Sequence, residues 1–281
     1  MQAQTPTTLA AFARQTAVRR CDMLSPKKRM VVLEGSVDQR ERELNILVIY
    51  YTRFGVLGSL ARLIAEGVQR EDAIKTNLLE VDDTPLELLQ GDENPGDMAL
   101  RRAAVVNQLA SADALIVGAP AYFGSMASPV KRLFEDCVTA GNPAVFDRSR
   151  PWHGHLLRDK VGAAFTASAT PHGGNEQALH SILTMMMHLG MVIVTPGQHE
   201  PILENDAAPY GATAIVGANG DRTPTAVEQE EARLLGQRVA RVTLWLQRGR
   251  TLWEKQQYTN DAGASPRADT TNPTRRQLPK S

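Results

Sequence analysis

ILVIYYTRFGVLGSLARLIAEG, Ile46–Gly67, is the stretch whose reading decides the fold. Ile46–Tyr51 is an unbroken apolar run, and from Leu57 onward apolar residues recur at helical spacing. A polar turn of small residues, Thr52–Gly58, lies between them. A strand without polar alternation is buried on both faces, which a parallel sheet covered by helices provides. The open question is what the turn holds.

The same alternation recurs along the chain. Strands are expected at Leu44–Tyr51, Leu78–Val81, Ala114–Gly118, Gly162–Ala167 and Met191–Thr195. Helices are expected at Leu57–Gln69, Leu100–Ala110, Ser128–Thr139, Glu176–Leu189 and Thr225–Gln247. This series predicts an α/β, doubly wound, five-stranded parallel sheet of order 2-1-3-4-5, with helices on both faces. In such a sheet a ligand sits outside the C-terminal ends of strands 1, 3 and 4.

Composition sets the outer bounds. The chain has 281 residues, with 31 basic and 31 acidic side chains and zero formal charge, so overall charge recommends neither a nucleic-acid nor a membrane partner. Cys21 and Cys137 are the only cysteines, too few for a disulfide framework or a thiolate metal cluster. They fit a reducing compartment, and with no transmembrane-length apolar run or signal-peptide core the expected location is cytoplasmic. Residues 1–43 read as a poorly ordered N-terminal extension, 44–250 as the folded domain, and 251–281 as a disordered tail, poor in apolar residues and rich in Pro, Ser, Thr and Asn.

Function is therefore sought in three loops: YTRFGVLGS after strand 1, GAPAYFGSMASP after strand 3 and TASATPHGGNEQ after strand 4. The first is not a P-loop, because Gly58 is followed by Ser59 and Leu60 rather than by Lys and a hydroxyl residue. It has two glycines, Gly55 and Gly58, where a dinucleotide fingerprint needs three in register. It does offer the Thr52 hydroxyl and the amides at a helix start, which suit one phosphate monoester. Pro120–Gly124 and Ser168–Gly174 can add an aromatic wall and backbone polar groups for a flat ring system. A planar group carrying one phosphate describes flavin mononucleotide, FMN.

From about Leu44 to Gln247 the chain also resembles the WrbA family of flavodoxin-like NAD(P)H:quinone oxidoreductases. The stretches that carry the resemblance are LVIYYTRFG, GAPAYFGSMASPVKRLFED, HGGNEQ, HLGMVIV and PYGATAIVGANGDRTPTAVEQEEARLLGQRVA. The resemblance implies that Thr52, Arg53, Phe54, Gly55, Val56 and Leu57 receive the FMN phosphate, with Phe54 also facing the nicotinamide. Pro120, Ala121, Tyr122, Phe123 and Gly124 would lie along the flavin ring, where the family often has Thr-Arg-Phe. Ser168, Ala169, Thr170, Pro171, His172 and Gly173 would wrap its pyrimidine side. This segment departs from the family's glycine-rich run, since Pro171 lacks an amide and His172 adds bulk. His188 matches a family histidine at the flavin and is the one catalytic candidate. Trp152, eight residues before Lys160, matches a substrate-facing tryptophan, with an apparently extended TAGNPAVFDRSRP segment preceding it.

The resemblance further implies ping-pong two-electron reduction of quinones, with hydride passing from NADH or NADPH through flavin N5. It also implies a homo-oligomer, dimer or tetramer, in which neighbouring subunits complete the sites. The competing reading is a flavodoxin-type FMN electron carrier that turns over no nicotinamide. Such carriers generally use a strongly acidic docking surface, whereas this chain is balanced. A third reading is a scaffold that has lost flavin affinity through Pro171 and His172. His153 and His155 form an H-x-H pair without a third ligand, so no metal site is expected.

Overall fold

Leu44–Tyr50 forms strand β1, with every side chain buried except the half-buried Asn45. β1 runs parallel to two neighbours: β2 (Ile74–Glu80), paired from Leu44↔Ile74 to Tyr50↔Glu80, and β3 (Ala114–Tyr122), paired from Ile46↔Ala114 to Tyr50↔Gly118. On the far side of β3 lies β5 (Val161–Ser168), also parallel, and buried at every position. The computed structural model describes residues 42–82, 95–135, 156–198 and 208–263. Residues 1–41 of the N-terminal extension, both cysteines, Trp152, His153, His155 and the chain after Gly263 lie outside those residues.

The path β2-β1-β3-β5-β6 matches the expected order, but the sheet has seven strands rather than five. The fifth position is filled by two short pieces. β6 (Val192–Ile193) pairs with Val161 and Gly162 at the start of β5, and β7 (Ala212–Ile215) pairs with Phe165–Ser168 at its end. A two-residue strand, β4 (Ser125–Met126), folds back antiparallel on the end of β3.

Alternate residues of a strand face opposite sides of the sheet. Leu47, Ile49, Leu115 and Val117 therefore pack on one face with α2 (Pro95–Ser111), α3 (Ser128–Phe134) and α4 (Asn175–His188), through Leu109, Phe134 and Ile182 among others. Ile46, Val48 and Ile116 pack on the other with α1 (Val56–Val68) and α5 (Ala226–Gly263), through Leu60, Ile64, Leu235 and Val239. The C-terminal boundary needs correction. The last helix runs 38 residues, to Gly263, so residues 251–263 are helical rather than a disordered tail.

Two carboxylates on the first turns of α5 tie it to β7. Thr225 and Glu228 form a reciprocal cap, the Glu228 amide donating to Thr225 Oγ1 (3.3 Å) and the Thr225 amide donating to Glu228 Oε2 (2.6 Å). Glu228 also accepts from the Ile215 amide at 2.8 Å and from Arg222 at 2.9 Å. Glu231, only 3% exposed, accepts from the amides of Ala208 and Thr213 at 3.0 and 3.5 Å. Burial pushes its carboxyl up to about 8, with the Glu228 charge adding to the shift and the two amides opposing it.

A carboxyl raised in the folded state stabilises most when protonated in both states, and that contribution fades as pH rises through the folded value. Between the ordinary carboxyl range and about pH 8, where Glu231 titrates, melting temperature should therefore fall as pH rises. Glu231→Gln should flatten that slope in a series of thermal melts; an unchanged slope would mean that Glu231 is charged in the fold.

Candidate functional site

The turn after β1 closes on itself. Gly55 adopts a left-handed conformation, φ 86°, which glycine tolerates without strain, and its amide donates to Thr52 Oγ1 at 2.9 Å. Helix α1 then starts with no side-chain cap and no acidic residue in its first turn. Its leading amides, which have no partner within a helix, are left at an end carrying partial positive charge.

Beside this helix end lies an open cleft of about 180 Å³. Three chain turns contribute the expected residues. Thr52, Arg53, Phe54, Val56 and Leu57 line it from the first, Pro120, Ala121 and Tyr122 from the second, and Ser168 and Ala169 from the third. Among these lining residues only Arg53 and Tyr122 have ionisable side chains, and none of the described lining residues is a carboxylate or imidazole.

Other expected residues lie elsewhere. Phe123 and Gly124 form the tip of the β3–β4 hairpin, both with positive φ (52° and 72°), and Phe123 is fully exposed. The hairpin leans on α4: the Met126 amide donates to Ser181 Oγ at 2.9 Å, and a Cβ on Gly174 would stand 3.0 Å from Gly124 Cα. Thr170, Pro171, His172 and Gly173 form the next turn, where Thr170 O accepts from the Ser168 hydroxyl (2.7 Å) and the Gly173 amide (2.9 Å). Pro171 and His172 are exposed there and do not line the cleft. Neither obstructs it.

His188 stands apart from the cleft lining. α4 starts beside the cleft and runs back along the sheet for 14 residues, about 20 Å, leaving His188 exposed at the far end. It does not line the cleft of its own chain.

A fourth segment, from which the sequence named no site residue, also forms part of the site. Val216, Gly217, Ala218 and Gly220, which follow β7, form another wall. The Arg222 amide donates to Val216 O at 2.9 Å and closes the loop, and the Arg222–Glu228 ion pair holds its base. A Cβ on Gly220 would lie 2.6 Å from Phe54 Cδ2 and 2.8 Å from Cγ, so the Phe54 ring rests directly on that backbone. The sequence signal was VGANGD, a glycine pair just after a strand, with no residue of catalytic type to draw notice.

A planar ring system with one phosphate ester fits these features. An uncapped helix end can take the ester, Val56, Leu57, Ala121, Ala167 and Val216 supply apolar wall, and Phe54 is braced as an aromatic surface.

The fold and this cleft define an α/β flavodoxin-like protein whose ligand binds at the C-terminal ends of β1, β3 and β5. Residues 51–199 match the NADPH-dependent FMN reductase family. A Caulobacter vibrioides protein named NAD(P)H dehydrogenase (quinone) is 38% identical over 207 residues, covering 72% of this chain and 98% of its own. A protein of the same name from Acidovorax ebreus is 38% identical over 200 residues, covering 69% and 94%. A solved WrbA-like flavodoxin from Agrobacterium tumefaciens is 24% identical, with a TM-score of 0.47 over 72% of this chain and 98% of that one. The chain belongs to the NADPH-dependent FMN reductase family.

Gly220→Val should push the Phe54 ring from its seat and weaken FMN binding about tenfold, the equivalent of ~1.4 kcal/mol. Flavin fluorescence quenching would measure this, with circular dichroism as the control for folding. Unaltered affinity would place the Phe54–Gly220 contact beyond the reach of the ligand.

Proposed function

We propose that the chain is an FMN-dependent NAD(P)H:quinone oxidoreductase. The observation that carries this reading is a cleft with apolar walls and a braced aromatic, opening on an uncapped helix end. When bound, FMN supplies the redox chemistry, accepting hydride from NADH or NADPH and returning two electrons to a quinone.

The chain's own residues bind, orient and compensate charge. The Thr52 hydroxyl oxygen is occupied by the Gly55 amide, which leaves its O–H to donate to an ester oxygen beside the first amides of α1. Pro120–Tyr122 would flank the ring. At the third turn Ser168 is committed on both sides, its hydroxyl to Thr170 O and its carbonyl to the Val216 amide. The amides of Ala169 and Thr170 have no acceptor among the described residues and can face negative charge at the ring edge. Phe54, seated on Gly220, would form the wall against which a nicotinamide stacks. Among the described residues that line the cleft none is a carboxylate or imidazole, so protons come from water or from a neighbour's His188.

Assembly belongs to the same proposal. His188 stands exposed at the far end of α4, and Phe123 is wholly exposed at the hairpin tip. Their exposure supports a homo-oligomer in which a neighbour presents His188. Trp152 is assigned to quinone contact on the family pattern. The cytoplasm is the proposed compartment; among the described residues no helix is long and apolar enough to cross a membrane.

The deciding experiment mixes FMN-loaded protein anaerobically with NADH or NADPH, then with benzoquinone. Flavin absorbance should bleach and then return. Binding without bleaching by either nucleotide would favour the electron-carrier reading, and undimmed FMN fluorescence would remove the site altogether. Sedimentation of the loaded protein should give a mass above the 30.7 kDa of one chain, and a monomer would end the shared-site assignment of His188.

A further inference from the structure

Helix α5 is about 57 Å long at the usual rise, and its second half carries side chains that the sheet does not cover. Trp245 is 61% exposed, Leu252 68% and Trp253 62%; these include two of the three tryptophans in the chain. At helical spacing the three fall within an arc of about 100°. Arg248 and Lys255 flank that arc on one side and Arg250, which also donates to Asp159 O at 3.3 Å, on the other, whereas Glu254 points away from it. Large exposed apolar side chains grouped on one helix face mark an interaction surface.

The charges select its occupant. From Trp245 to Ser281 the sequence holds seven basic and three acidic residues, so the zero total of the chain conceals a positive C-terminal portion. A second copy pairing across the stripe would set cations against cations. The first thirty residues, six basic and one acidic, meet the same objection. An anionic lipid surface does not: indoles settle at the level of the headgroups, and long cationic side chains beside them reach lipid phosphates. We propose that the Trp245–Leu252–Trp253 stripe docks the protein on anionic lipid surfaces, lying in the interface without crossing it. The inference stands independently of the redox reading.

The test uses the full FMN-loaded chain with phosphatidylcholine vesicles, with and without phosphatidylglycerol, followed by co-sedimentation and tryptophan emission. At about 1 kcal/mol for each basic side chain near the surface, the expectation is at least about tenfold stronger binding to the anionic vesicles, a blue-shifted emission and reversal by salt. The Trp245→Ser/Trp253→Ser variant should lose at least about tenfold in vesicle affinity while keeping its FMN affinity and helix content. No sedimentation of the unmodified chain with anionic vesicles overturns the proposal, whatever the variant does. Equal binding by a folded variant also overturns it. So does a fall in oligomer mass in the variant without any vesicle binding by the parent, which would assign the stripe to contact between copies.

Discussion

Helices α1 and α5 cross with no side chain between them at two points, and the cleft depends on that crossing. A Cβ on Gly67 would lie 1.9 Å from Arg233 O, and one on Gly236 would lie 2.0 Å from Ile64 O. Each helix therefore rests a glycine on the other's backbone, a fit that no larger residue could share without moving a helix. Arg233–Glu66 (2.9 Å), Arg241–Glu71 (2.8 Å) and Arg70–Glu230 (2.9 Å) line the seam. Exposed pairs of this kind contribute little, so burial of Leu60, Ile64, Leu235 and Val239 is the larger stabilising term. The contact lies one helix length from the cleft, yet it fixes where the amides of α1 point. It also fixes α5, whose first turn anchors the loop behind Phe54.

The site is accordingly assembled by backbone rather than by reactive side chains. Left-handed glycines set the turns at Gly55, Gly124, Gly217 and Gly220, and hydrogen bonds close the loops from within. Such a cleft can orient a ligand and favour a charge state, but it performs little acid–base work of its own. That division suits chemistry carried by a bound cofactor, with the protein supplying position and electrostatics.

Most of the fold was legible because β1, β3 and β5 are buried on both faces, which leaves unbroken apolar runs in the sequence. β2 was seen only in its second half, since Ile74–Asn77 alternates with Lys75 and Thr76 on a partly exposed edge. The divided fifth position was hidden because two- and four-residue strands leave almost no periodic signal. α5 was cut short because its last turns leave the core, and without a buried face a helix loses its apolar stripe. At the site, loops rich in small residues at strand ends were readable by position. The wall at Val216–Gly220 was not, for nothing in its residue types announces chemistry. His188 was placed by motif, and a motif does not say which end of a helix meets the ligand.

The divided strand has a consequence for how copies of the chain meet. A long flat edge strand offers a row of unpaired amides and carbonyls on which another molecule can polymerise. Here that border consists of Val192–Ile193 and Ala212–Ile215, separated along the chain by an excursion of eighteen residues. Neither piece is long enough to template an added strand, so this border of the sheet resists pairing with another molecule.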